Sequence, residues 1–158
     1  MKIMMVCLGN ICRSPLAEGI MRDKIRQHEL DWEVASAGTG SWHIGEAPDP
    51  RSQKIAKMHG IDISHQRAQK FSPYHFAEYD LIYTMDSSNY QDVIALAINE
   101  EEKLKVDLIM NIAYPGMNQN IPDPYYDDAL YEKVFSMLEI ACEKIIQKYH
   151  NTAVILKD

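Results

Sequence analysis

Apolar positions fall in two rhythms along this chain, short unbroken runs and longer stretches at helical spacing. Ile3-Met4-Met5-Val6 is apolar throughout and ends at Cys7, the size and bounds of a buried strand. Leu16, Ile20, Met21 and Ile25 then recur at helical spacing and predict a helix over residues 15–27, with Ser14 as its N-cap and Pro15 as its first residue. A second strand is predicted over 32–37, closed by the turn Gly38-Thr39-Gly40-Ser41. A loop follows from Trp42 to Pro50. A helix capped by Asp49 or Ser52 runs to Gly60, with Ile55, Ala56 and Met58 inward.

A helical turn over 76–79 leads into a strand over 79–85. Its apolar middle marks it as central and parallel. Asp86 or Ser87 caps the next helix, which carries Val93, Ile94, Leu96 and Ala97; at the carboxyl end of its strand, Asp86 is either a simple N-cap or a group near the site, with the cap or loop support favoured over direct catalysis. A fourth strand is predicted over 105–110. After a loop at 114–120, Pro122 and Pro124 stiffen Ile121-Pro122-Asp123-Pro124-Tyr125-Tyr126. From Asp127 onward Leu130, Val134, Leu138, Ala141, Cys142, Ile145 and Tyr149 keep helical spacing. Strands alternating with helices predict an α/β fold: a single three-layer domain with a central four-stranded parallel sheet flanked by helices. The domain is expected over 1–150, with 151–158 as a C-terminal tail whose apolar positions 153–156 pack nearby.

Composition narrows the partners. Net charge is −7. Without a basic run, nucleic acid and anionic membranes are poor partners. No apolar run approaches the roughly 20 residues of a membrane span. The N-terminal run is too short for a signal peptide. Three cysteines make a disulfide scaffold unfavourable. No His, Cys or carboxylate spacing suggests a metal site. Cytoplasmic location is expected, and no cofactor.

The chemistry gathers in the eight-residue loop Cys7-Leu8-Gly9-Asn10-Ile11-Cys12-Arg13-Ser14 between the first strand and first helix. A loop curling into a helix N-terminus aims backbone N–H groups inward as an anion nest. Gly9 and Asn10 tolerate the left-handed backbone such a curl needs. Arg13 adds a planar fork of donors for two phosphate oxygens. A thiol at Cys7, inside this positive field, is suited to act as a thiolate nucleophile. A phospho-cysteine route also needs an acid for the leaving group, and Asp123 between its prolines offers one. Trp42 is either packed on a neighbour or an aromatic wall over the cradle. Tyr125 and Tyr126 are either core aromatics or, with Trp42, a deep slot for a phosphotyrosine ring.

Cys-Leu-Gly-Asn-Ile-Cys-Arg-Ser-Pro resembles the signature of the low-molecular-weight protein tyrosine phosphatases. The likeness extends to Ser36-Ala37-Gly38, Met58-His59-Gly60-Ile61, Ser64-His65, Met85-Asp86 and Asp123-Pro124-Tyr125-Tyr126. The resemblance implies hydrolysis of phosphotyrosine, on protein and small aryl phosphates, through a phosphorylated Cys7. It implies Arg13 and the loop Leu8 to Cys12 on the phosphate, Asp123 as general acid and base, and Trp42, Tyr125 and Tyr126 at the rim. It gives Ser14 a hydrogen bond to the Cys7 sulfur, Asn10 a bracing role and His65 hydrogen-bonded support of the loop. It also pairs Cys7 and Cys12 in a reversible disulfide; Cys12 reads equally as a small buried side chain, and Cys142 as inert. The expected partner is a tyrosine-phosphorylated protein, met by a monomer or weak dimer.

Three rivals stand beside this reading. An arsenate reductase shares the fold and loop but needs relay cysteines where Met85, Ser87 and Ser88 stand. A protein-arginine phosphatase tends to carry Thr at the position of Ile11. A non-catalytic phosphate- or flavin-binding module explains the loop but not Cys7 and Asp123 together.

Overall fold

The structure is a computed structural model. It describes the backbone of residues 1–157 and the side chains of 1–150. Four strands, β1 (Lys2–Cys7), β2 (Glu33–Gly38), β3 (Leu81–Thr84) and β4 (Val106–Leu108), form an all-parallel sheet in the order β2-β1-β3-β4. The helices are α1 (Arg13–Gln27), α2 (Pro50–Met58), α3 (His75–Glu78), α4 (Ser87–Leu96), α5 (Glu100–Leu104) and α6 (Leu130–Lys157).

Strand β1 is apolar at every interior position because both its faces are covered. Ile3, Met5 and Cys7 face a core built with Leu16, Ile20 and Met21 of α1 and Val134, Leu138 and Ile145 of α6. Met4 and Val6 face Phe71, Phe76 and Val93 on the opposite side. The three layers follow from this alternation. Connections run from β1 to β2 in one direction and on to β3 and β4 in the other. The crevice beyond the C-terminal ends of β1 and β3 is therefore the switch point where such sheets bind ligands.

Several elements depart from the sequence pattern for visible reasons. Ser14 is not the N-cap of α1: the helix begins at Arg13, and its N-cap residue Cys12 makes no side-chain capping bond. The Ser14 hydroxyl is engaged elsewhere, at Asn10 and Cys7. Strand β2 lies one residue later than expected and leaves Trp32 on the flank of the core. The fourth strand stops at Leu108, where the chain tightens into a 3-10 turn over Ile109–Ile112 that buries Ile109 and Met110 against the α6 side. Helix α5 has no apolar stripe to announce it, and its N-cap Asn99 accepts from Glu102 N–H at 2.8 Å. Asp49, Oδ1 accepting from Arg51 N–H at 2.8 Å, caps α2 as expected. The backbone of α6 continues without a break past residue 150. The expected packing of 153–156 lies outside the described side chains.

The end of β2 carries a constraint. A Cβ on Gly38 would lie 2.8 Å from Leu8 O and 3.0 Å from Asn10 N, so the loop after β1 crosses directly over it. Gly38→Ala is expected to lift that loop and to destabilise the protein by about 1–3 kcal/mol, the usual cost of overpacking. A urea unfolding midpoint unchanged from wild type would show that the loop does not rest on Gly38.

Candidate active site

Cys7 ends β1 and is 2 % exposed, at the floor of a cavity of about 300 Å³. Leu8, Gly9, Ile11, Cys12, Arg13, Trp42, His43, Asp123, Tyr125 and Tyr126 complete its lining. The volume is that of a small-molecule site. Seven of the ten residues expected at the phosphate and the catalytic step, and all three rim aromatics, line the cavity; Asn10 and Ser14 lie just beneath, and His65 lies away from it.

Those two side chains hold the loop from below. Asn10 has a φ of 57°, the left-handed backbone that Asn tolerates better than most residues. Gly9 does not share that conformation; instead a Cβ there would meet His43 Cδ2 at 3.2 Å. The Asn10 amide donates to Ser14 Oγ at 2.7 Å and Ser36 Oγ at 2.9 Å, while its carbonyl accepts from Gln69 N–H at 2.9 Å. Ser36 donates on to Glu18 Oε1 at 2.9 Å. The Ser14 hydroxyl also lies 3.0 Å from Cys7 Sγ. With its oxygen accepting from Asn10, Ser14 has one proton to give, to the sulfur or to Ala37 O at 3.5 Å.

The loop leaves its backbone donors open. Among the described residues, none of the N–H groups of Leu8, Gly9, Asn10, Ile11 and Cys12 has a protein acceptor. Buried or half-buried N–H groups are nearly always paired. A run of open ones curving into a helix N-terminus around a cavity is a nest shaped for an anion. The missing side-chain cap on α1 belongs to the same design.

Arg13 is 2 % exposed, and its charge is balanced in place. Its Nη1 donates to Asp86 Oδ2 at 2.7 Å and to Ile121 O at 2.9 Å. The Nε–Nη2 edge remains for two oxygens of a tetrahedral ligand. Asp86 does both things the sequence left open, since its Oδ1 also caps α4 by accepting from Asn89 N–H at 2.8 Å. Asp123 Oδ2 lies 3.9 Å from Arg13 Nη2 on the other side of the cavity. Its Oδ1 accepts from Tyr125 N–H at 3.1 Å, a local turn that fixes the carboxyl.

The rim is aromatic and exposed. Trp42 is 69 % exposed, and its ring lies so close over residue 40 that only glycine fits there. Tyr125 and Tyr126 meet edge to face at 4.9 Å and are not core residues. His43, which the sequence reading passed over, stands beside Trp42 with Nδ1 2.6 Å from Glu46 Oε2. Gln69 was also missed. Its backbone N–H reaches Asn10 and its side-chain amide donates to Ser36 O at 3.0 Å, contacts that no spacing in the sequence marks.

His65 is not on the loop. It is exposed, and its Nε2 lies 3.2 Å from Arg22 Nη1. Its reach toward Asn10 is indirect, through Arg22, the Glu18 carboxylate at 2.9 Å and Ser36. Direct contacts to Asn10 come from Ser36 and Gln69. Cys142 is fully buried under α1, and burial pushes its thiol up to about 12. Burial likewise raises the Cys12 thiol to about 11, against a lowering hydrogen bond from Tyr131 Oη at 3.3 Å. Among the described residues, no three His, Cys, Asp or Glu side chains cluster as a metal site, and no helix is long and apolar enough to cross a membrane.

An anion nest at a sheet's switch point, with a thiol on its floor and a carboxyl facing it, defines a class of α/β proteins built to hold phosphate against a cysteine. The comparisons with known proteins agree. Residues 2–154 match the family model described as low molecular weight phosphotyrosine protein phosphatase, and the chain belongs to that enzyme family. A putative low-molecular-weight protein-tyrosine-phosphatase of Synechocystis is 41 % identical over 149 residues, 92 % of this chain and 94 % of the relative. The crystal structure of a protein tyrosine phosphatase from Entamoeba histolytica superposes with a TM-score of 0.89 at 34 % identity, covering 97 % of this chain and 99 % of the other. A Drosophila arginine phosphatase superposes with a TM-score of 0.88 at 30 % identity, over 94 % and 98 %.

Iodoacetamide at neutral pH is expected to label Cys7, through the cavity, ahead of Cys12 and Cys142, whose raised thiols stay protonated. Peptide mapping of the folded protein checks this. Equal labelling of Cys12 would contradict its burial and its bond to Tyr131.

Proposed function

We propose that the chain hydrolyses protein phosphotyrosine, and small aryl phosphates, through a phospho-cysteine intermediate on Cys7. The observation that carries the reading is the ring of open N–H groups from Leu8 to Cys12 around the Cys7 sulfur. The Cys7 thiolate attacks phosphorus, the bond to the phenolic oxygen breaks, and Asp123 gives its proton to that oxygen. Arg13 and the loop N–H groups hold the equatorial oxygens, so that positioning and charge do most of the catalysis. Asp123, now a carboxylate, takes a proton from water as the water attacks phosphorus. The S–P bond breaks, inorganic phosphate forms, and the Ser14 hydroxyl donates to the departing sulfur. Trp42, Tyr125 and Tyr126 offer apolar surface for the phenyl ring above a deep floor, which suits phosphotyrosine over the shorter phosphoserine. A working thiolate is consistent with a reducing, cytoplasmic setting and with reversible oxidation of Cys7 onto Cys12.

The similarity to an arginine phosphatase favours a second reading, in which the cavity takes phosphoarginine. Ile11 on the cavity wall weighs for the tyrosine reading, since an apolar side chain there offers nothing to a guanidinium. Release of phosphate from phosphoarginine faster than from phosphotyrosine at matched concentration would reverse the order of the two.

Cys7→Ser is expected to abolish hydrolysis of para-nitrophenyl phosphate while phosphate still binds, because the cradle persists. Calorimetric titration with phosphate checks the second half. Retained turnover would remove Cys7 as the nucleophile. Asp123→Asn is expected to slow aryl phosphates with poor leaving groups by about 10²–10⁴-fold and activated ones far less.

A further inference from the structure

Asp123 sits in a stretch that makes few bonds to the rest of the molecule. Ile121 is anchored, its N–H donating to Met85 O at 2.8 Å and its carbonyl accepting from Arg13. Beyond it the hydrogen bonds are local: Tyr125 N–H to Asp123, Asp127 N–H to Pro124 O at 3.1 Å, and Ala129 N–H to Asp127 at 3.0 Å. Among the described residues, apart from the first turn of α6, where Leu130 and Tyr131 N–H donate to Asp127 O and Asp128 O at 3.1 and 3.4 Å, the hydrogen bonds that reach 123–129 come from one side chain, Arg51. Its Nη1 donates to Tyr125 O at 2.8 Å and to Asp128 Oδ1 at 2.7 Å. Its guanidinium carbon stands 5.3 Å from the Tyr125 ring centre, within cation–π range.

The other edge of the same guanidinium is fixed to the phosphate-loop side. Nε and Nη2 donate to Asp49 Oδ1 and Oδ2 at 3.0 and 2.8 Å, a bidentate pair that holds the Asp49 carboxyl below its ordinary range. Asp49 N–H in turn donates to Ile11 O at 2.8 Å. Beneath the guanidinium, 5.1 Å away, lies the ring of Tyr131, whose hydroxyl contacts Cys12. One planar group therefore joins the segment bearing Asp123 to two residues of the nucleophile's loop.

We propose that Arg51 is a positioning residue that sets the distance and aim of Asp123 over the Cys7 cradle. The proposal rests on the general-acid reading of Asp123. Exposed ion pairs contribute little to stability, and the Asp128 side of the clamp is 80 % exposed. Its value is geometric: an acid displaced by about 1 Å can cost up to 10²-fold in rate.

The test is the dependence of kcat/KM on leaving-group acidity, measured with a series of aryl phosphates on wild type, Asp123→Asn, Arg51→Ala and Arg51→Lys, with a urea midpoint for each. Wild type is expected to be nearly insensitive and Asp123→Asn strongly sensitive. Arg51→Ala is expected to become sensitive too, losing about tenfold or more on phenyl phosphate and little on dinitrophenyl phosphate. Arg51→Lys is expected to fall between, since an ammonium keeps the charge but cannot span both partners, and it provides the reading if alanine lowers the folded fraction. Arg51 variants that slow every substrate by one factor, or none, while Asp123→Asn is sensitive, overturn the proposal alone. An insensitive Asp123→Asn overturns the acid assignment and the proposal with it.

Discussion

The arrangement depends on keeping one positive charge out of water. A guanidinium as buried as Arg13 is costly unless its charge is matched and its donors filled. Asp86 supplies the charge and Ile121 a carbonyl, and each partner is itself committed elsewhere. Asp86 caps α4 at the end of β3, and Ile121 is paired through its N–H to Met85. The ends of β1 and β3, the start of α4 and the root of the Asp123 loop are thereby pinned to a single side chain. Removing one partner of such a pair leaves the other buried and uncompensated, at about 3–5 kcal/mol. The same fixing points the free edge of Arg13 at the cavity before any ligand arrives, so little ordering remains to be done on binding.

A second constraint works against ordinary helix chemistry. Ser14 followed by Pro15 is what a capped helix start looks like, yet the Ser14 hydroxyl is turned to Asn10 and the Cys7 sulfur. Capping would have satisfied α1 at the expense of the nest. Asn10 makes the exchange stable: its left-handed turn tips the loop, and its amide closes three hydrogen bonds that repay the backbone strain. Gly38 leaves room for the result, since any side chain there would occupy the space of Leu8 and Asn10.

How much of this was legible follows from range. The parallel sheet, its four strands and the strand–loop–helix at the nucleophile are local patterns of period and punctuation, and they were readable. Asp86 was readable only as an alternative, because cap and charge partner look the same until Arg13 is seen 73 residues away in sequence. His65 was readable only as a supporting residue, because a motif gives proximity but not the path; two side chains, Arg22 and Glu18, stand between it and the loop network. Gln69 contributes a backbone N–H to Asn10 and an amide bond to Ser36 O across 33 residues, and left no trace. Arg51 carried no signal in the sequence, because its partners lie two residues before it and 74 to 77 residues onward. Helix α5 was missed since its cap, not an apolar face, makes it.

The electrostatics of the site then take a particular form. The chain is net negative, and Glu46, Asp127 and Asp128 stand near the mouth. Arg13 brings a positive charge to the floor, but Asp86 cancels most of its long-range field at 2.7 Å. What is left is short-ranged: open N–H dipoles, a helix terminus and one edge of a guanidinium, all converging within the cavity. Such a field does little to steer anions from beyond a screening length of about 8–10 Å. It acts on a phosphate group that has already entered. On the proposed function, selection would rest on what carries the phosphate in, and Trp42 and the two tyrosines offer a flat apolar surface for it. Of the carboxylates at the mouth, Asp128 is bonded to Arg51 and Glu46 to His43, so it is the aromatic surface more than charge that the mouth presents to an incoming group.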